Sequence, residues 1–410
     1  MANFLAHLFP WIGRTKEDRN YSLTKLAVYL LFRRMNVGSL EIVFPTGERL
    51  HFCGLQKGPQ AVLKINNYKF FALVMFSGDL GFAESYMKSY IETPNLPKLL
   101  RLGILNEAPL SDVFKTGWFK RYLNQYYHSL KSNSLAGSSR NIAAHYDLGN
   151  KFYSFWLGKM MTYSSGIFVK PGDSLEKAQT RKYYRLAEKL NLLPGDYVLE
   201  IGCGWGDFAE IAAREFGCKG LAITLSKEQA DYARSRMANS GLSDQVEVRL
   251  QDYRNVQGSF DKIVSIEMFE AVGQEFWNDY FAVLKKCLQP NGAIGMQVIT
   301  IDDAYFQKYQ NNPEFIQKYI FPGGMLPSVN SFYKLIDDNK MSLSSSHYFG
   351  LSYAETLRRW RREFLKHWLS INNLGFDERF KRMWEYYLSY CEVGFENGQI
   401  NVGQFIIDQR

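Results

Sequence analysis

Residues 198–208, VLEIGCGWGDF, constrain this chain more than any other stretch. Apolar residues 197–199 run into an acid, Glu200. Glycines follow at 202, 204 and 206, and a helical pattern occupies residues 208–216. The order is strand, tight turn, helix. The glycines let backbone amides come close to a ligand, and the helix N-terminus points at it. Purely structural turns share such glycines, so the meaning of this one depends on the neighbouring strand ends.

Strands and helices alternate from here on. Strands are expected near 197–201, 219–224, 245–250, 262–266 and 292–299, and helices near 207–216, 227–240 and 274–288. Repeated βα units of this length imply a parallel sheet with helices on both faces. A basic amphipathic helix, 174–191, leads into the first strand, and another helix is expected over 353–368. Residues 392–395 and 400–407 predict an antiparallel hairpin around Asn397-Gly398. Residues 301–345 interrupt the alternation as an insertion, with FPGGML at 321–326. Coming after a late strand, it lies over the ligand-binding edge of the sheet, as a lid or as packing.

The N-terminal part, 1–130, reads as a separate α+β domain. It begins helical and basic through residue 40. Short β-like runs follow at 40–44, 47–52, 61–65 and 70–76, then helices over 81–91, 96–105 and 106–130. KSNSLAGSSR, residues 131–140, is the linker, and 141–410 the second domain. The net charge of +8 favours an anionic partner. The basic segments 21–35 (YSLTKLAVYLLFRRM) and 358–368 (RRWRREFLKHW) can be read as packed or solvated helix faces, or as contacts with lipid head groups. Five dispersed cysteines argue for a reducing compartment and against a disulfide framework. No signal peptide is expected, and the apolar run 26–32 is too short to span a bilayer, so any membrane contact is expected to be peripheral. None of the six histidines forms a metal constellation, and only His145 lies in a site-like motif.

Further motifs stand at the strand ends. The second strand ends in LAITLSKEQ, residues 221–229, with Thr224 where dinucleotide folds usually carry a ribose-binding acid. That speaks against NAD and leaves Gln229 as a hydrogen-bonding substitute. The third strand runs into Asp252 and Tyr253, an acid and a ring suited to an adenine. The fourth ends in DKIVSIEMFEAVG, residues 261–273, which holds Glu270.

With an acid just before G-x-G-x-G, the loop resembles the S-adenosylmethionine (SAM) loop of Rossmann-like methyltransferases. The set HYDLGNKFYSFWL, MTYSSGIF, VLEIGCGWG, ITLSKEQ, LQDYR and MFEAVG, in this order and spacing, resembles the cyclopropane-fatty-acid synthase family over roughly residues 140–407. The resemblance implies a Rossmann-like SAM methyltransferase with a seven-stranded sheet and an antiparallel edge hairpin, preceded by a smaller lipid-docking domain. It implies transfer of the SAM methyl to a cis double bond of a phospholipid acyl chain, then ring closure by loss of a proton to a bound bicarbonate. Such a carbocation demands a dry, electron-rich site, which the 16% aromatic content suits.

Carried over by position, Tyr163, Ser164, Glu200, Gly202, Gly204, Gly206, Thr224, Leu225, Gln229, Asp252 and Tyr253 would bind SAM. Glu270, Tyr353, Gln297, Ser165 and Ile299 would form the catalytic set around bicarbonate. Ser165 stands where the family has a cysteine that acts through its backbone. Gln297, in QVI, replaces the family's histidine in HTI; it donates a hydrogen bond but carries no proton. That replacement leaves cyclopropane, methylene and methyl-branched products open. The resemblance places the protein in the cytoplasm, peripheral on the inner face of an anionic membrane, with homodimerisation open. Methylation of a sphingolipid and an inactive lipid-binding scaffold are the alternatives. Nucleic acid is a weaker partner, since no Asn-Pro-Pro-Tyr-type motif occurs.

Overall fold

The computed structural model describes residues 25–107, 148–311 and 314–409, apart from 27 and 31. The expected linker 131–140, His145, residues 21–24, 27 and 31 of the segment 21–35, and residues 108–130 lie outside the described residues. The chain divides into two compact units, 1–120 with 377–393, and 121–376 with 394–410.

The smaller unit is built on a sheet of four strands, β1 (Val37–Val43), β2 (Arg49–Cys53), β3 (Gln56–Ile65) and β4 (Ile91–Glu92), in the order β2-β1-β3-β4. β1 alternates half-buried and buried residues, placing Leu40 and Ile42 in the core with Leu63 and Ile65 of β3. The expected β-like run 70–76 is instead part of the helix Lys69–Met87, which breaks at Gly78 with φ 51°. FFALVMF is apolar without a two-residue alternation, and periodicity alone cannot separate such a run from a buried helix. Helix Leu96–Leu105 is capped by the Asn95 side chain, which accepts from the Lys98 amide. It ends at Asn106, which is fully buried. The Asn106 amide nitrogen donates to the carbonyls of Val37 and Leu102, both at 2.9 Å, and its oxygen accepts from the amides of Asn36 and Val37 at 2.8 and 3.0 Å.

The larger unit holds a seven-stranded sheet. Its strands are β5 (Tyr197–Ile201), β6 (Lys219–Thr224), β7 (Val246–Leu250), β8 (Phe260–Ile266), β9 (Leu288–Ile301), β10 (Met341–Tyr348) and β11 (Ile400–Gln409), in the order β10-β11-β9-β8-β5-β6-β7. The pairs from β9 to β7 are parallel, whereas β11 runs antiparallel to both β9 and β10. This is the expected α/β class. Leu199 and Ile201 of β5 enter one core with Ile223, Ile263, Phe281 and Phe405. Val198 enters the opposite core with Leu186, Leu190 and Phe208. Glu200 shares that face of the strand by the two-residue period.

The predicted hairpin around Asn397-Gly398 is not formed. Residues 392–395 are the last turn of the helix Glu378–Glu396. Gly398, at φ 73°, stops that helix, and the Gln399 amide donates back to the Gly394 carbonyl at 3.1 Å. An Asn-Gly pair with its glycine left-handed suits a helix stop as well as a hairpin turn. The antiparallel edge comes from β10 and β11, which are far apart in the chain. β10 begins inside the expected insertion 301–345, whose earlier part forms helices Asp303–Asn311 and Val329–Asp338.

Replacing Asn106 by leucine strands two amides and two carbonyls in the core of the smaller unit. At about 1–3 kcal/mol for each unsatisfied buried group, Asn106→Leu is expected to cost at least about 2 kcal/mol, read as a lower denaturant midpoint than the parent chain.

Candidate active site

The parallel strands present their carboxyl ends side by side, which is where open α/β sheets bind ligands. At the end of β5 the turn is drawn against its neighbour, since the amides of Gly202 and Cys203 both donate to the Ile223 carbonyl at 2.9 Å. Gly202, Gly204 and Gly206 have φ values of 81°, 53° and 89°, where a side chain is strained. A Cβ on Gly202 would lie 2.5 Å from the Met268 side chain, while nothing approaches one on Gly204 within 4 Å. The turn therefore has an open face at Gly204.

Glu200 is buried, and its Oε2 has no hydrogen-bond partner. Burial and the neighbouring Asp207 push its carboxyl up to about 8. An orphaned acid beside a glycine turn fits a cationic ligand group, such as the ammonium of SAM. At the end of β6, Thr224 donates to Gln229 Oε1 at 2.8 Å, so these two expected residues act as one buried pair. Leu225 follows directly. At the end of β7, Asp252 is gripped by Arg254, whose Nε and terminal nitrogen donate to its two oxygens at 2.9 and 2.7 Å. The Tyr253 ring packs edge-on against Tyr280 at 5.0 Å. The Tyr163 ring lies within 5.6 Å of those of Tyr153, Trp156 and Trp360. The rings meet tilted or edge-to-face, and the negative faces of such a cluster favour a cation.

Most of the residues expected to be catalytic gather around one that the motif reading passed over, Glu267. It follows β8 with φ 51°, a left-handed conformation uncommon for a side-chain-bearing residue. Its carboxylate accepts three hydrogen bonds. The Ser165 amide reaches Oε1 at 3.0 Å, Gln297 Nε2 reaches Oε1 at 2.6 Å, and the Tyr353 hydroxyl reaches Oε2 at 2.5 Å. Gln297 is held in turn by Gln404, whose Nε2 donates to its Oε1 at 3.1 Å. Burial raises the Glu267 carboxyl above the ordinary range, while Lys182 and the three donors oppose the rise. Three of the five expected catalytic residues, Ser165, Gln297 and Tyr353, thus meet on one carboxylate. Ser165 contributes its backbone amide to this contact. A signal for Glu267 was present, namely a second acid at the carboxyl end of a central strand, three residues before Glu270.

The other two expected residues pair with each other. The Ile299 amide donates to Glu270 Oε1 at 2.5 Å, while Oε2 is buried without a partner. Burial and the nearby Glu267 push the Glu270 carboxyl up to about 8. FPGGML packs here, with the Met325 amide donating to the Glu270 carbonyl at 2.7 Å. The donors expected for bicarbonate are the Ser165 and Ile299 amides, Gln297 and Tyr353. All four are engaged by Glu267 and Glu270, so the residues present do not fit a bicarbonate.

The basic stretch 358–368 lies mostly on the helix Gly350–Lys366, where Trp360 and Phe364 are fully buried. Arg358 pairs with Glu355 and Glu396, and Arg359 with Glu355 at 2.8 Å. Part of its charge is therefore internally compensated.

The family model described as mycolic acid cyclopropane synthetase matches residues 133–405. The chain belongs to this family. It is a SAM-dependent methyltransferase of the cyclopropane-fatty-acyl-phospholipid synthase type. Among its relatives is the tuberculostearic acid methyltransferase of Mycobacterium tuberculosis, 37% identical over 80% of this chain and 79% of that protein. The cyclopropane-fatty-acyl-phospholipid synthase of Escherichia coli is 36% identical over 85% of this chain and 88% of that protein. Among solved structures, the mycolic acid cyclopropane synthase CmaA1 complexed with SAH and CTAB superposes with a TM-score of 0.62 at 29% identity. It covers 66% of this chain and 98% of the other.

A group whose carboxyl is raised on folding adds stability below its ordinary value and loses it as pH rises through the raised one. For Glu270 that window runs from 4.5 to about 8. Glu270→Gln keeps the acceptor for Ile299 and removes the loss. Its stability relative to the parent is expected to grow between about pH 5 and about pH 8, by up to about 1.4 kcal/mol per pH unit. Denaturant unfolding across that range measures it.

Proposed function

We propose that this methyltransferase adds a methylene across the cis double bond of an unsaturated phospholipid acyl chain, and that Glu267 accepts the proton the reaction releases. The observation that carries the reading is the buried Glu267 carboxylate, held by Ser165, Gln297 and Tyr353. When bound, SAM supplies an electrophilic methyl. Glu200 is assigned to its ammonium, Gly202, Gly204 and Gly206 to the close backbone approach, Thr224, Leu225 and Gln229 to the ribose side, and Asp252 with Tyr253 to the adenine. Tyr163 and Ser164 close the pocket.

The alkene electron pair forms the new carbon–carbon bond as the carbon–sulfur bond breaks, and the positive charge passes to the acyl chain. The rings of Tyr153, Trp156, Tyr163 and Trp360 suit that cation and exclude water. Glu267 then takes a proton from the new methyl, and the released C–H pair closes the three-membered ring. A second outcome shares the methyl transfer and the proton acceptor. A hydride shift from the methyl-bearing carbon moves the cation onto it, and loss of the same methyl proton leaves an exocyclic methylene. The relatives include both a tuberculostearic acid methyltransferase and a cyclopropane-fatty-acyl-phospholipid synthase, and the test below separates the two outcomes.

Gln297 orients the acceptor and takes no proton. Burial raises the Glu267 carboxyl above its ordinary 4.5, which strengthens it as a proton acceptor. The net charge of +8 supports peripheral docking on the anionic inner face of a membrane. Among the described residues, no helix is long and apolar enough to cross one.

Incubation with SAM and unsaturated phospholipid vesicles, followed by mass spectrometry and NMR of the fatty acids, tests the reading. A gain of one CH2 is expected, and NMR separates ring from methylene. No gain overturns the assignment. Glu267→Gln is expected to retain SAM binding by calorimetry and to lose about 10²–10⁴-fold in turnover, the range of a lost general base.

A further inference from the structure

Lys182 is fully buried on the helix Leu175–Lys189. Its ammonium donates to the Ser164 hydroxyl and lies 4.4 Å from the centre of the Tyr183 ring. Three carboxylates face it from three elements, Glu267 after β8, Glu200 on β5 and Asp207 at the start of the helix Asp207–Phe216. Asp207 already has a partner in Arg236. Glu267 in turn faces Lys182, the Tyr353 hydroxyl and the Glu270 carboxyl.

The same helix is tied to both halves of the site. Gln179 Nε2 donates to the carbonyls of Thr162 and Ser164 at 3.0 and 3.4 Å, and Gln404 Nε2 donates to the Lys182 carbonyl at 2.8 Å. The segment 162–165 supplies the Ser165 amide that holds Glu267, and Gln404 holds Gln297. A buried ammonium normally sheds its proton unless opposite charges retain it. Burial pulls Lys182 down to about 8, and Glu267, Asp207 and Glu200 oppose that fall.

We propose that Lys182 is a positioning residue that joins the cofactor pocket to the proton acceptor, its ammonium fixing Ser164 and keeping Glu267 ionised. The proposal rests on the reading of Glu267 as the acceptor. A cationic ligand group beside Glu200 satisfies that carboxylate and leaves the charge of Lys182 to Glu267. The ionised acceptor is thereby favoured when the pocket is filled.

The test uses Lys182→Met, Lys182→Arg and the double variant Lys182→Met with Glu267→Gln. Thermal midpoints and kcat/KM against pH are the readouts. Lys182→Met is expected to lower the midpoint, and adding Glu267→Gln to recover part of the loss, because it removes the carboxylate left without a counter-charge. The acidic limb of Lys182→Met is expected to move up by about one pH unit or more, the usual effect of losing an adjacent opposite charge. Lys182→Arg is expected to restore that limb and to extend activity to higher pH, because guanidinium does not titrate there. If Lys182→Met alone does not fold, the profile of Lys182→Arg carries the test, and a profile matching the parent at both limbs overturns the proposal. Midpoint losses that simply add also overturn the role of Lys182. Coupled midpoints with an unmoved acidic limb overturn Glu267 as the acceptor instead, since the coupling reads charge pairing alone.

Discussion

A buried carboxylate held by three donors is the interaction on which the rest of the site depends. Ionised Glu267 away from water is costly unless hydrogen bonds and an opposite charge stabilise it. Ser165, Gln297 and Tyr353 provide the bonds, and Lys182 faces it with the charge. These residues come from a loop, a strand and two helices of the larger unit. Their convergence at one side chain explains why that loop is pinned by Gln179, and why Gln297 is backed by Gln404. Tyr353 is further set by the Phe395 ring, stacked 4.4 Å away.

The two acids at the end of β8 divide the work through their surroundings. Glu267 has donors and a cation. Glu270 has one backbone amide and an empty oxygen, and it is raised to about 8. The donors and cation suit Glu267 to accept a proton, while Glu270, raised to about 8, suits a neutral acid. Environments that push two carboxyl groups apart are how one pocket holds an acid and a base together. Across the pocket, the β5 turn leaves Gly204 open and Glu200 unsatisfied, which suits a positively charged ligand.

Much of this was legible in the sequence. β5 and β6 fall where the apolar runs and glycines put them, because strand, turn and helix leave local signatures. Thr224 with Gln229 and Ile299 with Glu270 are pairs that the motif reading named singly. Two elements were misread for local reasons. FFALVMF has no period to separate strand from helix, and Asn-Gly stops a helix as readily as it turns a hairpin. Glu267 was missed for a non-local reason. Its meaning comes from Ser165, Gln297 and Tyr353, whose spacing in the chain says nothing of their meeting point. Gln297 looked like a lost proton carrier, but beside Glu267 it is a donor to a carboxylate the chain already carries.

The central claim is that this carboxylate does the work the family resemblance assigns to bicarbonate. Turnover on unsaturated phospholipid in buffer stripped of carbon dioxide, with and without added bicarbonate, tests it most directly. The account predicts the same rate in both. A rate that collapses on stripping and returns with bicarbonate would contradict it.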